Sequence, residues 1–212
     1  MTINVDHIIL GSLLAGSPLV SIEILSRCWT IKPEISRKST HLFSALASSL
    51  LVVFCRLPEI AVIGFLFVII LVVSRRKQVW HSLYRIQRKS WGEVTFPLAV
   101  AVTALLAPSK EAFVIGMLFL GLADTAASLL GQRFGQRHLP VFGGKTWVGS
   151  LACLVCCYII GAAFAGQILS GPVAGLAIAV TVAEAAGSRG FDNLLMPVTA
   201  MLFIRLVGLQ FT

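Results

Sequence analysis

Long apolar runs, each closed by a charge, a proline or a glycine, divide the 212-residue chain into eight stretches: about 7–26, 41–57, 59–74, 93–108, 111–131, 147–169, 171–187 and 193–211. The runs are continuous, where the strands of an outer-membrane barrel would alternate apolar and polar residues. About 20 residues in a helix span ~30 Å of hydrocarbon, so eight runs with short connections use up the chain and leave no room for a separate soluble domain. The pattern predicts an all-α polytopic membrane bundle of about eight transmembrane helices, seven to nine at the limits, forming one domain over 1–212. Pro18 interrupts the first run, and a kink is expected there because proline removes a helix hydrogen bond.

Composition agrees. Hydrophobic residues make up 57% of the chain and charged ones 12%, with mean hydropathy +0.91; a soluble domain has about 45–50% and roughly 25%. The net charge of +8 is explained by its placement, without nucleic acid. Arg27, Lys32, Arg37 and Lys38 follow the first run. Arg75, Arg76, Lys77, Arg85, Arg88 and Lys89 follow the third; Arg133, Arg137 and Lys145 follow the fifth, and Arg189 the seventh. The alternate connections hold only Arg56 and Lys110. The positive-inside rule then puts loops of about 27–40, 75–92 and 132–146 in the cytoplasm and both termini outside. Arg205 alone stands inside a run, near its outer end, where its head group can snorkel. The N-terminal MTINVDHIILGSLLAG lacks the basic region of a cleaved signal, so none is expected. Cys28, Cys55, Cys153, Cys156 and Cys157 are odd in number and lie mostly in apolar runs, with no histidine or carboxylate beside the last three. They are read as packing residues.

Gly171, Gly175, Ala179, Ala183 and Gly187 recur every four residues in the seventh run, and Ala123, Ala126 and Ala127 cluster in the fifth. Small residues let helix backbones approach in lipid, so both runs are expected to be buried, the seventh along this stripe with Val180 off it. Ionisable groups in or beside membrane helices are costly and point to function. Asp124, two turns before the end of its run, Glu184, one turn before the end of its own, Asp192 with Asn193 at the start of the last, and Glu93 at the start of the fourth all fall at the basic face.

Carboxylates with nearby cations and glycine-rich backbone suit a magnesium-nucleotide site: hard oxygens for the ion, donors for the phosphates. The segment 131–150, GQRFGQRHLPVFGGKTWVGS, adds Gly131, Gly135, Gly143, Gly144 and Gly149 for close approach, Arg133, Arg137 and Lys145 for charge, and Thr146 and Ser150 as hydroxyls. It is not a Walker A loop, because that spacing needs glycine where Leu139 stands. A phosphate cradle and a basic surface loop both fit it. Arg37, Lys38 and His41, entering the second run, fit either phosphate or substrate contacts or a lipid head-group anchor.

Five short motifs occur in order over residues 33–200. They are Arg37-Lys38-x-x-His41; Ser90-Trp91-Gly92-Glu93 with Phe96-Pro97; Ala123-Asp124-Thr125-Ala126-Ala127-Ser128 running to Gly131-Gln132-Arg133-Phe134-Gly135; Gly144-Lys145-Thr146-Trp147-Val148-Gly149-Ser150; and Glu184-Ala185 with Asp192-Asn193-Leu194 and Pro197. Together they resemble the dolichol kinase and phytol kinase family. The resemblance implies a membrane enzyme that transfers the γ-phosphoryl group of a nucleotide, typically CTP, to the hydroxyl of a lipid alcohol such as phytol, a polyprenol or diacylglycerol. It implies Mg²⁺ held by Asp124, Asp192 and Asn193, a nucleotide site at Arg133, Gly135, Gly144, Lys145, Thr146 and Ser150, and catalytic roles for Asp124, Lys145 and Glu184 or Glu93. Val148 stands where the family usually has an acid. A cytidylyltransferase making a CDP-lipid would share the CTP site, and a small-solute transporter would also use membrane acids; against the latter, the acids crowd one face and the halves show no repeat. Expected partners are the lipid alcohol and the nucleotide, with a homo-oligomer left open.

Overall fold

The computed structural model describes residues 3–29, 33–77, 80, 91–140, 144–188 and 190–211; the side chains of Pro33 and Glu34 lie outside that description. Arg85, Arg88, Lys89, Gly143, Arg189 and much of the expected 75–92 loop fall outside it as well. The described residues form eight helices and no strand: α1 Val5–Cys28, α2 Pro33–Leu50, α3 Leu57–Lys77, α4 Gly92–Leu106, α5 Lys110–Phe134, α6 Trp147–Ala165, α7 Gly171–Ala186 and α8 Asp192–Val207. Each answers to one expected run.

Among the described residues, α1, α3, α5 and α6 are long and apolar enough to cross a membrane by length and composition, while α4 and α7 are apolar but shorter. α2 corrects the expected boundary. It starts at Pro33, eight residues before the apolar run, so Arg37, Lys38 and His41 lie within a helix. Proline at the first helical position loses no intrahelical bond, which is why the helix can begin there. α6 stops earlier than expected, because Gly166 takes a left-handed conformation (φ +62°) that suits glycine and ends the helix. α5 runs past the expected end at 131, which puts Asp124 ten residues from its terminus, about 15 Å along the helix.

In α1, Pro18 leaves the Leu14 carbonyl without its amide partner, and the Ser17 hydroxyl donates to that carbonyl at 2.8 Å. α1 packs on α2 and α3, α3 on α4, α4 on α8, α8 on α7, α7 on α6 and α6 on α5, which returns to α2. The core fills this ring with Phe113, Phe119, Leu120, Leu176, Met196 and Met201, all fully buried. The buried face of α7 is Val173, Leu176, Ala177, Val180 and Glu184, which corrects the expected seam. Gly175 lies on the flank, where a Cβ would meet the Phe203 ring at 2.8 Å, and a Cβ at Gly171 would meet nothing. The large side chains face inward because the centre of the bundle is wide enough to need them.

Near one end, α3 and α1 are tied to each other. The Glu59 carboxylate, 1% exposed, accepts from the Asn4 amide (3.0 Å), the Arg56 amide (2.8 Å) and His7 Nδ1 (3.1 Å). Arg205 Nε donates to the Leu106 carbonyl at 2.6 Å and Lys110 Nζ to the Val52 carbonyl at 2.5 Å. These contacts gather the cations of the alternate connections at the helix ends remote from Lys145.

Candidate active site

The other end of the ring holds a cavity of 840 Å³. α4, α6 and α8 begin at it, since Gly92, Thr146, Asp192 and Asn193 all line it. Helix N-termini carry unpaired amides and the positive end of the helix dipole, so three of them around one space favour an anion there.

Lys145 stands at the centre. The chain on either side of the loop tip is held as an isolated antiparallel bridge between His138 and Thr146, with the Leu139 amide donating to the Lys145 carbonyl at 2.8 Å. Thr146 then caps α6 by accepting from the Gly149 amide at 3.1 Å. From this fixed base Lys145 Nζ donates to Glu184 Oε1 at 2.5 Å and to Asp192 Oδ2 at 3.2 Å. Burial works against its ammonium, but Asp192 and Glu184 outweigh that and hold the amine above the ordinary lysine range. Glu184 is 2% exposed, and its second oxygen, Oε2, has no hydrogen-bond partner among the described residues. Ser150 Oγ nearby on the cavity wall is also buried without one.

Asp124 follows a π-helical segment, Phe119–Ala123, in which the Asp124 amide reaches back to the Phe119 carbonyl. Such insertions often mark functional sites because they displace the next turn. His41 Nε2 lies 3.1 Å from the Leu120 carbonyl in the same segment and 3.5 Å from Asp124 Oδ2. A carbonyl only accepts, so this nitrogen carries the proton. The ring meets Phe96 edge-on at 5.1 Å. Across the cavity, Glu93 is paired with Arg75, whose guanidinium sits 4.2 Å over the Trp91 ring. Asn193 Nδ2 donates to the Gly92 carbonyl at 3.0 Å, and Thr95 Oγ1 to the Gly190 carbonyl at 2.6 Å. These bonds stitch the starts of α4 and α8 together through the Asn193 amide nitrogen, and its carbonyl oxygen is the atom able to meet a cation.

The structure therefore brings together Asp124, Glu184, Asp192, Glu93, Lys145, Asn193, Arg37 and His41 around one cavity. Gly135, Gly144, Thr146 and Ser150 line it too, though α5 runs to Phe134, three residues into the expected loop. Gly131 lies in α5, and Gly149 and Ser150 in the first turn of α6. A Cβ at Gly135 would meet the Gly131 carbonyl at 2.3 Å and Thr146 Oγ1 at 2.5 Å, and one at Gly149 would meet the Ala127 carbonyl at 2.8 Å. These glycines let α5 and α6 close around Thr146. Gly144, at φ +94° with open space around it, has a left-handed backbone conformation that favours glycine. Arg133 lies outside the cavity lining, exposed, with its guanidinium 5.4 Å over the Phe134 ring. Lys38 Nζ donates to Gln132 Oε1 at 3.1 Å and is likewise off the wall. Arg75 is the site cation that the sequence reading placed only among loop charges. Its signal was its position at the end of α3, 18 residues before Glu93.

The carboxylates of Asp124, Asp192 and Glu184, the last with its Oε2 unpartnered among the described residues, and the Asn193 oxygen are a donor set that fits a divalent ion. Among the described residues no three His, Cys, Asp or Glu side chains are close enough to form a ready-made cage. Mg²⁺ is commonly held by one or two carboxylates and the phosphates it accompanies, so the set suits that ion.

A phytol kinase of Synechocystis sp. is 29% identical over 207 residues, 91% of this chain and 88% of that protein. This similarity supports the resemblance to the phytol kinase and dolichol kinase family. The cavity gathers residues from each of the five motifs. No family model matches the chain, and no solved structure matches it.

Proposed function

We propose that the protein is a membrane kinase that transfers the γ-phosphoryl group of CTP to a lipid alcohol of the phytol or polyprenol type. The observation that carries this reading is Lys145, fixed between Glu184 and Asp192 in a cavity where three helices begin. The similarity to a protein named phytol kinase supports the lipid alcohol as acceptor. The nucleotide identity comes from the family resemblance.

Asp124 and Asp192, with the Asn193 oxygen, would hold Mg²⁺, whose chemistry is to neutralise charge on the β- and γ-phosphates. Lys145 and the N-termini of α4, α6 and α8 hold the phosphates. They bind more tightly as charge shifts to the β–γ bridging oxygen in the transition state. Glu184 accepts the alcohol proton. The alcohol oxygen bonds to the γ-phosphorus, the bond from that phosphorus to the β-bridging oxygen breaks, and CDP leaves. Glu93 is committed to Arg75 and positions the wall. All eight helices cross or enter the bilayer, with the cavity mouth on the cytoplasmic face, where a soluble nucleotide meets an alcohol whose tail stays in lipid.

The test is a screen of labelled nucleotides against lipid alcohols with purified protein and Mg²⁺. CDP and a lipid monophosphate are expected. Release of pyrophosphate with a CDP-lipid would replace this reading by a cytidylyltransferase.

A further inference from the structure

The cavity has a second part that phosphoryl transfer does not use. From the His41 level an arm runs into the bundle between α1, α2, α3 and α4. Its apolar wall is Ala15, Leu19, Ile63, Phe67, Leu71 and Val100; its other wall is the α2 stripe Thr40, Ser44 and Ser48. Those hydroxyls are compatible with an apolar occupant, because serine and threonine on a helix can bond back to their own backbone. Thr40 does so, donating to the Ser36 carbonyl at 3.0 Å.

The arm has a floor. At Gly11 a Cβ would meet Ile63 Cδ1 at 2.5 Å, Cys55 Sγ at 3.1 Å and Leu51 Cδ2 at 3.5 Å, so bare α1 backbone packs onto a buried plug. One turn along, Gly16 admits the Phe67 ring, 3.1 Å from where a Cβ would be. From Leu71 down to Ile63 is eight residues of α3, about 12 Å. A zigzag of ~1.5 Å bonds advances about 1.25 Å per carbon along its axis, so that depth takes about ten carbons.

We propose that this arm seats about the first ten carbons of the alcohol's tail, and that Ala15, Ile63 and Phe67 determine how far into the bundle a tail reaches. The proposal rests on the lipid-alcohol reading above. The arm opens directly onto the site where the hydroxyl must sit, and its floor closes before the far face. Each methylene removed from water adds to binding, so tail carbons inside the arm raise kcat/KM and those beyond it add little.

Two measurements on the full-length protein in nanodiscs test this. With wild type, kcat/KM is expected to climb steeply from prenol to geraniol and to level off towards farnesol. Ala15→Phe should lower the geraniol-to-prenol ratio about tenfold while leaving the nucleotide KM within about twofold. Ile63→Ala, which deepens the floor and gives a second variant should Ala15→Phe fail to fold, should raise the farnesol-to-geraniol ratio severalfold. Leu13→Phe, on the outer face of α1, should change neither ratio. Ratios unmoved in both folded arm variants would overturn the proposal. The second measurement needs no turnover: a decanol analogue with a diazirine near its far end is photolysed in the complex. Adducts on the Ala15, Ile63 and Phe67 peptides, competed by geraniol, are expected. Uncompeted adducts spread over lipid-facing Leu13 and Ile69 would overturn the arm. Specific adducts without turnover on any nucleotide would leave the arm standing and reject the kinase.

Discussion

At the residue scale, one ammonium organises charges from three separate parts of the chain. Lys145→Ala removes the partner of both Glu184 and Asp192. It is expected to raise the nucleotide KM and to lower kcat by about a hundredfold, the loss typical of one well-placed donor to developing charge. Steady-state kinetics with nucleotide varied would check it, and unchanged parameters would remove Lys145 from the phosphate site. Arg133→Ala, off the cavity wall, should change both by less than threefold, a roughly 0.6 kcal/mol effect. Asp124→Asn and Asp192→Asn keep shape but lose the charge that binds a cation. Each should abolish turnover in protein that still elutes as a monodisperse peak, and chelation of divalent ions should silence the wild type until Mg²⁺ returns. Near wild-type turnover in either variant at saturating Mg²⁺ would exclude that carboxylate as a ligand. The carboxylates themselves were legible in the sequence, because charge in a membrane helix is conspicuous. Their partners were not: Lys145 meets residues 39 and 47 positions away, and nothing local in the chain states which of several cations closes that distance.

At the element scale, α7 shows how periodicity misleads when it is read alone. The four-residue stripe of small residues marks a flank against Phe203, while the buried stripe carries Val180 and ends on Glu184. Val180→Leu should therefore cost ~1–3 kcal/mol of overpacking and reduce folded yield, whereas Val182→Leu on the exposed side should be mild. Thermal unfolding in detergent measures both, and equal Tm values would put Val180 at the lipid. Gly175→Leu pushes on the far end of one aromatic side chain and should be cheaper than Gly135→Ala, which meets backbone. The π segment of α5 could not have been read from Phe119–Ala123, whose residues are ordinary helix formers in a membrane. Within it Gly121 lies bare beside Ala45 of α2, its would-be Cβ 2.6 Å from that side chain, a contact set by a helix distant in the chain.

At the scale of the whole molecule, the cations divide between two ends of the bundle. Lys145 and the four cavity acids, Glu93, Asp124, Glu184 and Asp192, lie at one, and Lys110, Arg56 and Arg205 at the other. In a Cys28→Ser background, which removes an exposed thiol, Arg137→Cys should label from the cytoplasmic side and Ser109→Cys from the opposite one; labelling of both from one side would reject the topology. The sequence by itself determined the membrane environment, the eight helical segments and the end at which the acids collect. Those follow from hydrocarbon thickness and the cost of unpaired backbone in lipid, which act on each segment alone. Only the tertiary structure decided which cation faces which acid, that Arg75 occupies Glu93, and that α1 closes an arm over α3 beside the site. Such choices depend on how helices far apart in the chain fit their side chains around one another, and in lipid that fit is set by packing, which no single segment carries.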